Sequence, residues 1–177
     1  MTRYAKQPRG SSVCGPIAIL NALKWAGARA TLRAHLKEIV EEAGCNQETE
    51  GTLLTAFESA LRHFGKEQLR VRTVFPWPGI ETLEAFLRNS EHAVITGFRW
   101  KNKKTGKSDV HHALIVGVSK TGKTLLCVNY DEGKTTVARV RRKEFLLDHA
   151  QRKDAGDLGG VSPCLWFLEK IARPCPP

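Results

Sequence analysis

The chain has 177 residues, of which 41% are hydrophobic and 26% charged, a balance typical of one globular domain with a real core. We therefore expect a single domain over residues 1–177, and no apolar run reaches the ~18–20 residues of a membrane span. The net charge is +10, and basic residues are densest in the segments 99–107 and 139–143. Such segments are typical of solvated loops or of a surface that binds an acidic partner.

The first half of the chain is predicted to be mainly helical. Apolar residues at helical spacing, bounded by caps and glycines, indicate helices, and alternation of polar and apolar residues indicates one strand. The predicted helices cover residues 16–26, 31–43, 52–64 and 80–89, and the strand covers residues 69–75.

The second half is predicted to consist of strands joined by polar or glycine-containing turns. The predicted strands cover residues 93–100, 110–118, 124–130, 135–140 and 164–171, with a short helix or turn at 142–149. Helices followed by antiparallel strands predict an α+β fold, in which an N-terminal helical layer packs on a C-terminal antiparallel sheet.

The first helix is the element around which we expect the chain to be organised. Its apolar residues wrap nearly all round, which is typical of a central helix. Pro16 suits the first helical position, and Gly27 ends the helix. Cys14 then lies at the helix N-terminus, where free N–H groups and the helix dipole lower a thiol pKa and favour the nucleophilic thiolate.

A nucleophilic cysteine needs a base, usually histidine, and a group that orients the base. His111 and His112 open the most apolar predicted strand, and because they are adjacent they point to opposite faces. Either histidine can therefore be the base, with the other facing solvent or the other layer.

The turn at residues 119–123 folds this strand back on the next one. Centring the hairpin there puts residue 112 opposite 131 and residue 114 opposite 129, so Asn129 and Asp131 are both candidates to fix the histidine tautomer. A symmetric hairpin favours Asp131, whereas a shift of one or two residues in the turn favours Asn129.

The five cysteines are scattered and include no Cys-x-x-Cys pair. Such spacing argues against a disulfide framework or a zinc site, so we expect no metal and no cofactor. Residues 1–12 are polar and basic and show no signal peptide, and together these features predict a cytoplasmic protein.

These motifs resemble those of the papain-like cysteine peptidases. The chain is most similar to the compact bacterial group that includes the leader-peptide-cleaving domains of bacteriocin exporters. Those domains begin with a glutamine and a short loop, followed by Cys-Gly-Pro-x-Ala-x-x-Asn at the start of the central helix; here these are Gln7 and residues 14–21. The entry to the third helix at 50–54 and the strand from His112-Ala113 to Gly117 also fit.

The resemblance implies a papain-like fold and a thiol-dependent hydrolase that cleaves a peptide or isopeptide bond through an acyl-enzyme. It implies that Cys14 is the nucleophile and His112 the general base, with His111 as the other candidate. Asn129 or Asp131 orients the histidine, and Gln7 donates to the oxyanion together with the Cys14 N–H.

Two other functions remain open from the residues alone. The same dyad supports acyl transfer on related folds, because fold does not determine the reaction. A catalytically inactive chain could instead use its basic segments to bind an acidic protein or nucleic acid. No nucleic-acid-binding motif accompanies the charge, which favours a peptide or protein as the partner.

Overall fold

A computed structural model describes residues 4–8, 11–28, 32–45, 54–101, 108–130, 137–146 and 165–172, with the side chains of 32–34, 54, 98–101 and 108–110 excepted. Within these ranges, residues 142–146 form a short helical segment, and four longer helices and six strands have bounds close to the predicted ones. In chain order they are α1 (Cys14–Trp25), α2 (Leu32–Glu42), α3 (Leu54–Gly65), β1 (Leu69–Val74), α4 (Ile80–Leu87), β2 (His92–Lys101), β3 (Ser108–Val118), β4 (Thr124–Val128), β5 (Val137–Arg141) and β6 (Leu165–Lys170).

Helix α1 begins two residues earlier than predicted. Cys14 is its first residue, so Pro16 occupies the third helical position rather than the first. The first intrahelical bond runs from the Ile17 N–H to the Val13 carbonyl at 3.0 Å. Pro16 precedes that bond, so its missing N–H costs the helix nothing. Ten consecutive residues of α1 are buried, which confirms a central helix.

The six strands form one antiparallel sheet in the order β1-β6-β2-β3-β4-β5. The last strand in the chain, β6, lies between β1 and β2 and pairs with both along its length. Because β1 precedes α4 and still joins the sheet, the helices and strands are not strictly separated along the chain. The α+β class is confirmed.

The two faces of the sheet carry separate apolar clusters. On the face that we call the α1 face, α1, α2 and α3 pack together with Ile95, Leu114, Val128 and Trp166. On the opposite face, called here the α4 face, α4 packs with Val94, Ile115, Cys127, Phe145 and Phe167. Adjacent strand residues alternate between the clusters, as the pleat of a strand requires.

The β3–β4 hairpin differs from the predicted register. Near the turn, Val118 pairs with Leu125 and Gly117 with Leu126, as expected for a hairpin centred on residues 121 and 122. An irregularity between Ile115 and Gly117 then shifts the pairing by one, so Leu114 lies opposite Val128 and not opposite residue 129. A bulge of this kind puts an extra residue in one strand, and sequence alternation alone does not reveal it.

Candidate active site

Cys14 and His112 lie side by side in the interior of the protein. The Cys14 Sγ is 3.5 Å from the His112 Nδ1, although the two residues are 98 positions apart in the sequence. Both residues are buried, with 7% and 4% of their surface exposed. A sulfur and an imidazole nitrogen at this distance can share a proton, and the positive end of the α1 dipole favours negative charge on the sulfur.

Strand alternation explains why His112 rather than His111 faces the cysteine. His112 is two residues from Leu114, which packs in the cluster of the α1 face, and α1 lies against β3. His111 projects to the other face and is 3% exposed. Its Nε2 makes a short hydrogen bond to the main-chain carbonyl of Asn129.

Aromatic side chains hold the imidazole of His112 in place. The Phe57 ring from α3 stacks on it with a centroid distance of 5.1 Å and an interplanar angle of 19°. The Trp166 ring from β6 lies 6.1 Å from the imidazole and 4.4 Å from Phe57. Phe57 and Trp166 are almost completely buried, so they fix the orientation of the imidazole and keep water from its covered faces.

Gln7 and Asn129 form a second buried pair beside this dyad. The Asn129 Nδ2 donates to the Gln7 Oε1 at 3.0 Å and, more weakly, to the His112 carbonyl at 3.4 Å. The Gln7 Nε2 donates to the Ser11 carbonyl at 2.8 Å, which leaves its second N–H for another acceptor. The Asn129 Oδ1 is buried and has no hydrogen-bond partner in the described part of the chain.

The N-terminal arm, residues 4–8, is anchored to α1 by Asn21. The Asn21 side chain accepts from the Ala5 N–H at 2.6 Å and donates to the Ala5 carbonyl at 3.3 Å. Tyr4 is buried in the cluster of the α1 face, and burial raises the pKa of its hydroxyl. These contacts hold Gln7 close to the start of α1.

The other described cysteines have different surroundings. Cys127 is completely buried among apolar side chains of the α4 face, and burial strongly raises the pKa of its thiol. Cys45 is half-buried, and its Sγ donates to the Ser12 carbonyl at 3.3 Å. Neither of them forms a disulfide, and neither does Cys14.

The remaining predicted residues fall partly outside this region. Asp131 and the side chains of 99–107 lie outside the described residues. In the segment 139–143, the side chains of Arg139, Arg141 and Lys143 are exposed. Among the described residues, no cluster of three or more His, Cys, Asp or Glu side chains could hold a metal ion. No helix in the described ranges is long and apolar enough to cross a membrane.

Sequence reasoning assigned no role to Phe57, Trp166 or Asn21. For Asn21 a signal was available, because a polar side chain within a helix that is apolar all round needs an internal partner. The two aromatic residues look like ordinary core positions in the sequence. Only the packing of α3 and β6 around β3 brings them to His112.

Comparison with known proteins supports the fold. No protein-family model matches the sequence, and no curated protein matches it. Among solved structures, the chain is similar to a double glycine motif protease from an AMS/PCAT transporter in complex with the leader peptide, with a TM-score of 0.57, 14% identity and coverage of 95% of this chain and 93% of that one.

A second similar structure comes from Bacillus anthracis and is described as that of a C39-like peptidase. Its TM-score is 0.56 at 12% identity, over 97% of this chain and 95% of that chain. At such low identity the likeness concerns the fold alone. The resemblance to the papain-like peptidases of the bacteriocin-exporter group is thus confirmed at the level of the fold.

Proposed function

We propose that this chain is a cysteine peptidase that hydrolyses a peptide or isopeptide bond. The observation that carries the proposal is the contact of 3.5 Å between the Cys14 Sγ and the His112 Nδ1 at the start of a buried helix. The fold shared with peptidases of the C39 type adds support. The imidazole beside the thiol and the helix N-terminus beneath it are two features that activate a sulfur nucleophile.

In the proposed reaction, His112 takes the thiol proton and the Cys14 thiolate attacks the carbonyl carbon of the scissile bond. The negative charge moves to the carbonyl oxygen, and collapse of this intermediate breaks the C–N bond. His112 gives its proton to the leaving amine, and a thioester remains on Cys14. Water, deprotonated by His112, then attacks the thioester, which releases the acid and restores the thiol.

Two further groups complete the proposed site. The second N–H of Gln7 and the main-chain N–H of Cys14 are the proposed donors to the oxyanion. Asn129 is the proposed orienting residue, because its amide holds the His112 main chain and its Oδ1 can accept a further N–H. Asp131 is the competing candidate. Loss of activity in Asn129→Ala but not in Asp131→Ala would decide for Asn129, and the reverse result would decide for Asp131.

The proposed substrate is a peptide or a protein segment. The protease with a similar fold was solved with a leader peptide, which makes peptides the first compounds to test. The exposed side chains of Arg139, Arg141 and Lys143 favour an acidic segment in the substrate. If this is correct, replacing these three residues with serine raises KM at low salt and weakens the salt dependence of KM. A cytoplasmic location is part of the proposal.

The decisive test is the rate of Cys14 alkylation by iodoacetamide as a function of pH, followed by mass spectrometry. We expect rapid reaction well below pH 7 in the wild type, and slow reaction there in His112→Ala. His111→Ala is the matched control for the second candidate base. Cys127 is an internal control that should not react in the folded protein, because its thiol is buried with a raised pKa. A Cys14 that titrates like a free thiol near ~8.5 would refute the proposal.

The two alternatives are an acyltransferase and an inactive binding protein. In an acyltransferase an acceptor other than water attacks the thioester, and in a binding protein no thioester forms. An acyltransferase gives an amide product when an amine acceptor is supplied, whereas a hydrolase gives the free acid. An inactive binding protein keeps its salt-sensitive affinity for an acidic partner in Cys14→Ala and shows no activated thiol. The Cys14–His112 contact favours the hydrolase over the binding protein.

A further inference from the structure

His111 and His112 are adjacent, and only His112 takes part in the proposed reaction. His111 is 3% exposed and projects to the side of β3 away from Cys14. Its Nε2 lies at hydrogen-bond distance from the main-chain oxygen of Asn129. A carbonyl oxygen can only accept, so the Nε2 of His111 must carry a proton and the ring is either the Nε2–H tautomer or the imidazolium.

The residue that accepts this bond has an uncommon backbone conformation. Asn129 has a φ of 58°, and it is the only non-glycine residue with positive φ in the described part of the chain. Residues other than glycine occupy this left-handed region at a cost, and they remain there when the surrounding contacts enforce it. Strand β4 ends at Val128, so regular strand pairing does not hold Asn129 in place.

Two sets of contacts enforce this conformation. On one side, His111 binds the main-chain carbonyl of Asn129. On the other, the Asn129 side chain reaches Gln7 and the His112 carbonyl. The main-chain carbonyl and the side chain of Asn129 leave the same Cα, so a shift of this Cα that broke the His111 contact would carry the side chain with it and lengthen its bonds to Gln7 and His112. The His111 hydrogen bond therefore determines where the Asn129 amide lies relative to Gln7 and His112.

We propose that His111 is a positioning residue, whose Nε2–H holds the Asn129 carbonyl and thereby keeps Asn129 and Gln7 beside the Cys14–His112 pair. This inference rests on the proposed peptidase function. It assigns separate tasks to the two histidines. His112 exchanges protons with the thiol and the leaving group, and His111 acts only through Asn129, without touching the substrate or the reacting atoms.

The test compares two replacements of His111 of similar size. His111→Gln can still present an amide N–H to the Asn129 carbonyl, whereas His111→Met fills the space without a donor. We expect His111→Met to lower kcat on a peptide substrate by about 10- to 100-fold, with KM changed less than about twofold, because a small displacement of catalytic groups mainly slows the chemical step. His111→Gln should restore kcat to within about threefold of the wild type on the same grounds.

Thermal unfolding of both variants separates positioning from a general loss of structure. The proposal holds if the two variants melt within a few degrees of each other and only His111→Gln retains kcat. It is overturned if His111→Met keeps full kcat, or if both variants lose kcat equally at equal stability. The pH profile of Cys14 alkylation distinguishes the two levels of failure. An ordinary thiol in the wild type refutes the peptidase function itself, whereas an activated thiol with an unaffected His111→Met variant refutes only the role of His111.

A measurement on the unmodified protein covers the case in which His111→Met does not fold. Nuclear magnetic resonance of the ¹⁵N-labelled imidazoles reports which ring nitrogen carries the proton. We expect a protonated, slowly exchanging Nε2 in His111 at neutral pH, with a coupling across the hydrogen bond to the Asn129 carbonyl carbon. A bare Nε2 in His111 would overturn the proposal, because that tautomer cannot donate to a carbonyl.

Discussion

Cys14 and Cys127 are both buried thiols, and they lie on opposite faces of the same sheet. Cys127 packs in the cluster of the α4 face, where burial among apolar side chains strongly raises the pKa of its thiol. Cys14 lies on the α1 face, at the start of α1 and 3.5 Å from an imidazole. Burial alone makes a thiol inert, whereas burial beside a base and a helix N-terminus favours the thiolate.

The difference extends to the surroundings of the two cysteines. Around Cys14, the buried residues include the polar side chains of Gln7, His112 and Asn129, which are linked by side-chain or main-chain contacts. Around Cys127, the cluster consists of apolar residues from α4 and from strands β2 to β6, together with Phe145. Buried polar groups are costly, so the linked polar side chains beside Cys14 are a better indication of a site than the cysteine itself.

The largest effect on the rate of hydrolysis is expected from removing the proposed nucleophile. Cys14→Ala should lower the rate of peptide hydrolysis by about 10⁴-fold or more, because no other group can form the acyl-enzyme. The matched variant Cys127→Ala should keep kcat and lose roughly 1 kcal/mol of unfolding free energy through the small cavity that it leaves. Steady-state kinetics and chemical denaturation measure the two quantities. Appreciable hydrolysis by Cys14→Ala would show that Cys14 is not the nucleophile and does not differ in this respect from Cys127.

The next effect concerns Gln7. Gln7→Ala removes a proposed oxyanion donor and a hydrogen bond to Asn129, and it should lower kcat by about 10²–10³-fold with a smaller change in KM. Lys6→Ala, which changes an exposed side chain on the same arm, is the control and should behave like the wild type. If Gln7→Ala affects only stability, the glutamine anchors the arm and has no role in the reaction.

Phe57 and Phe145 allow the two faces to be compared at matched burial, because both rings are completely buried. Each substitution to leucine should cost about 1–2 kcal/mol of unfolding free energy. Only Phe57→Leu should also lower kcat, by about tenfold, because it removes the ring stacked on His112. Equal kcat in the two variants would show that the stacking does not orient the imidazole.

The smallest expected effect is the pH dependence of stability contributed by Glu58. Burial alone would raise the pKa of Glu58, but the nearby Thr73 hydroxyl and the hydrogen bond and charge of Arg62, whose Nε lies 2.9 Å from the Glu58 Oε1, hold it below its usual value. A lowered folded-state pKa stabilises the fold above the unfolded-state pKa, and the contribution disappears as pH falls through the folded-state pKa.

Glu58→Gln should therefore be less stable than the wild type at pH 7, and the two should converge in acid. The difference should stay below about 1 kcal/mol, because Glu58 and Arg62 are partly exposed. Urea denaturation from pH 7 to pH 3 measures it. A difference that persists or grows at pH 3 would contradict the lowered pKa.

Much of the local structure followed from the sequence. Apolar periodicity located every helix and strand named above, with ends that differ by a few residues. Alternation along β3 also placed His111 and His112 on opposite faces, since that depends only on the two-residue period of a strand. Cys14 at the start of a buried helix followed from the Cys-Gly-Pro motif and the apolar run behind it.

The pairing of distant residues did not follow from the sequence. A bulge in β3 shifted the hairpin register by one, and the left-handed backbone at Asn129 ended β4 before its predicted last residue. Both are local departures from regular geometry, made favourable by contacts with other elements. The resulting hydrogen bonds from Asn129 to Gln7 and from His111 to Asn129 could not be read from spacing.

The sequence by itself determined which segments are helices and strands, which of their faces are apolar, and that a cysteine begins the central helix. These properties arise from neighbours within a few residues, whose periodicity is written directly in the chain. Only the tertiary structure decided that β6 lies between β1 and β2, that Phe57 and Trp166 enclose His112, and that His112 is the histidine beside Cys14. Those contacts join residues far apart in the chain, and they depend on how whole elements pack, which no local pattern specifies.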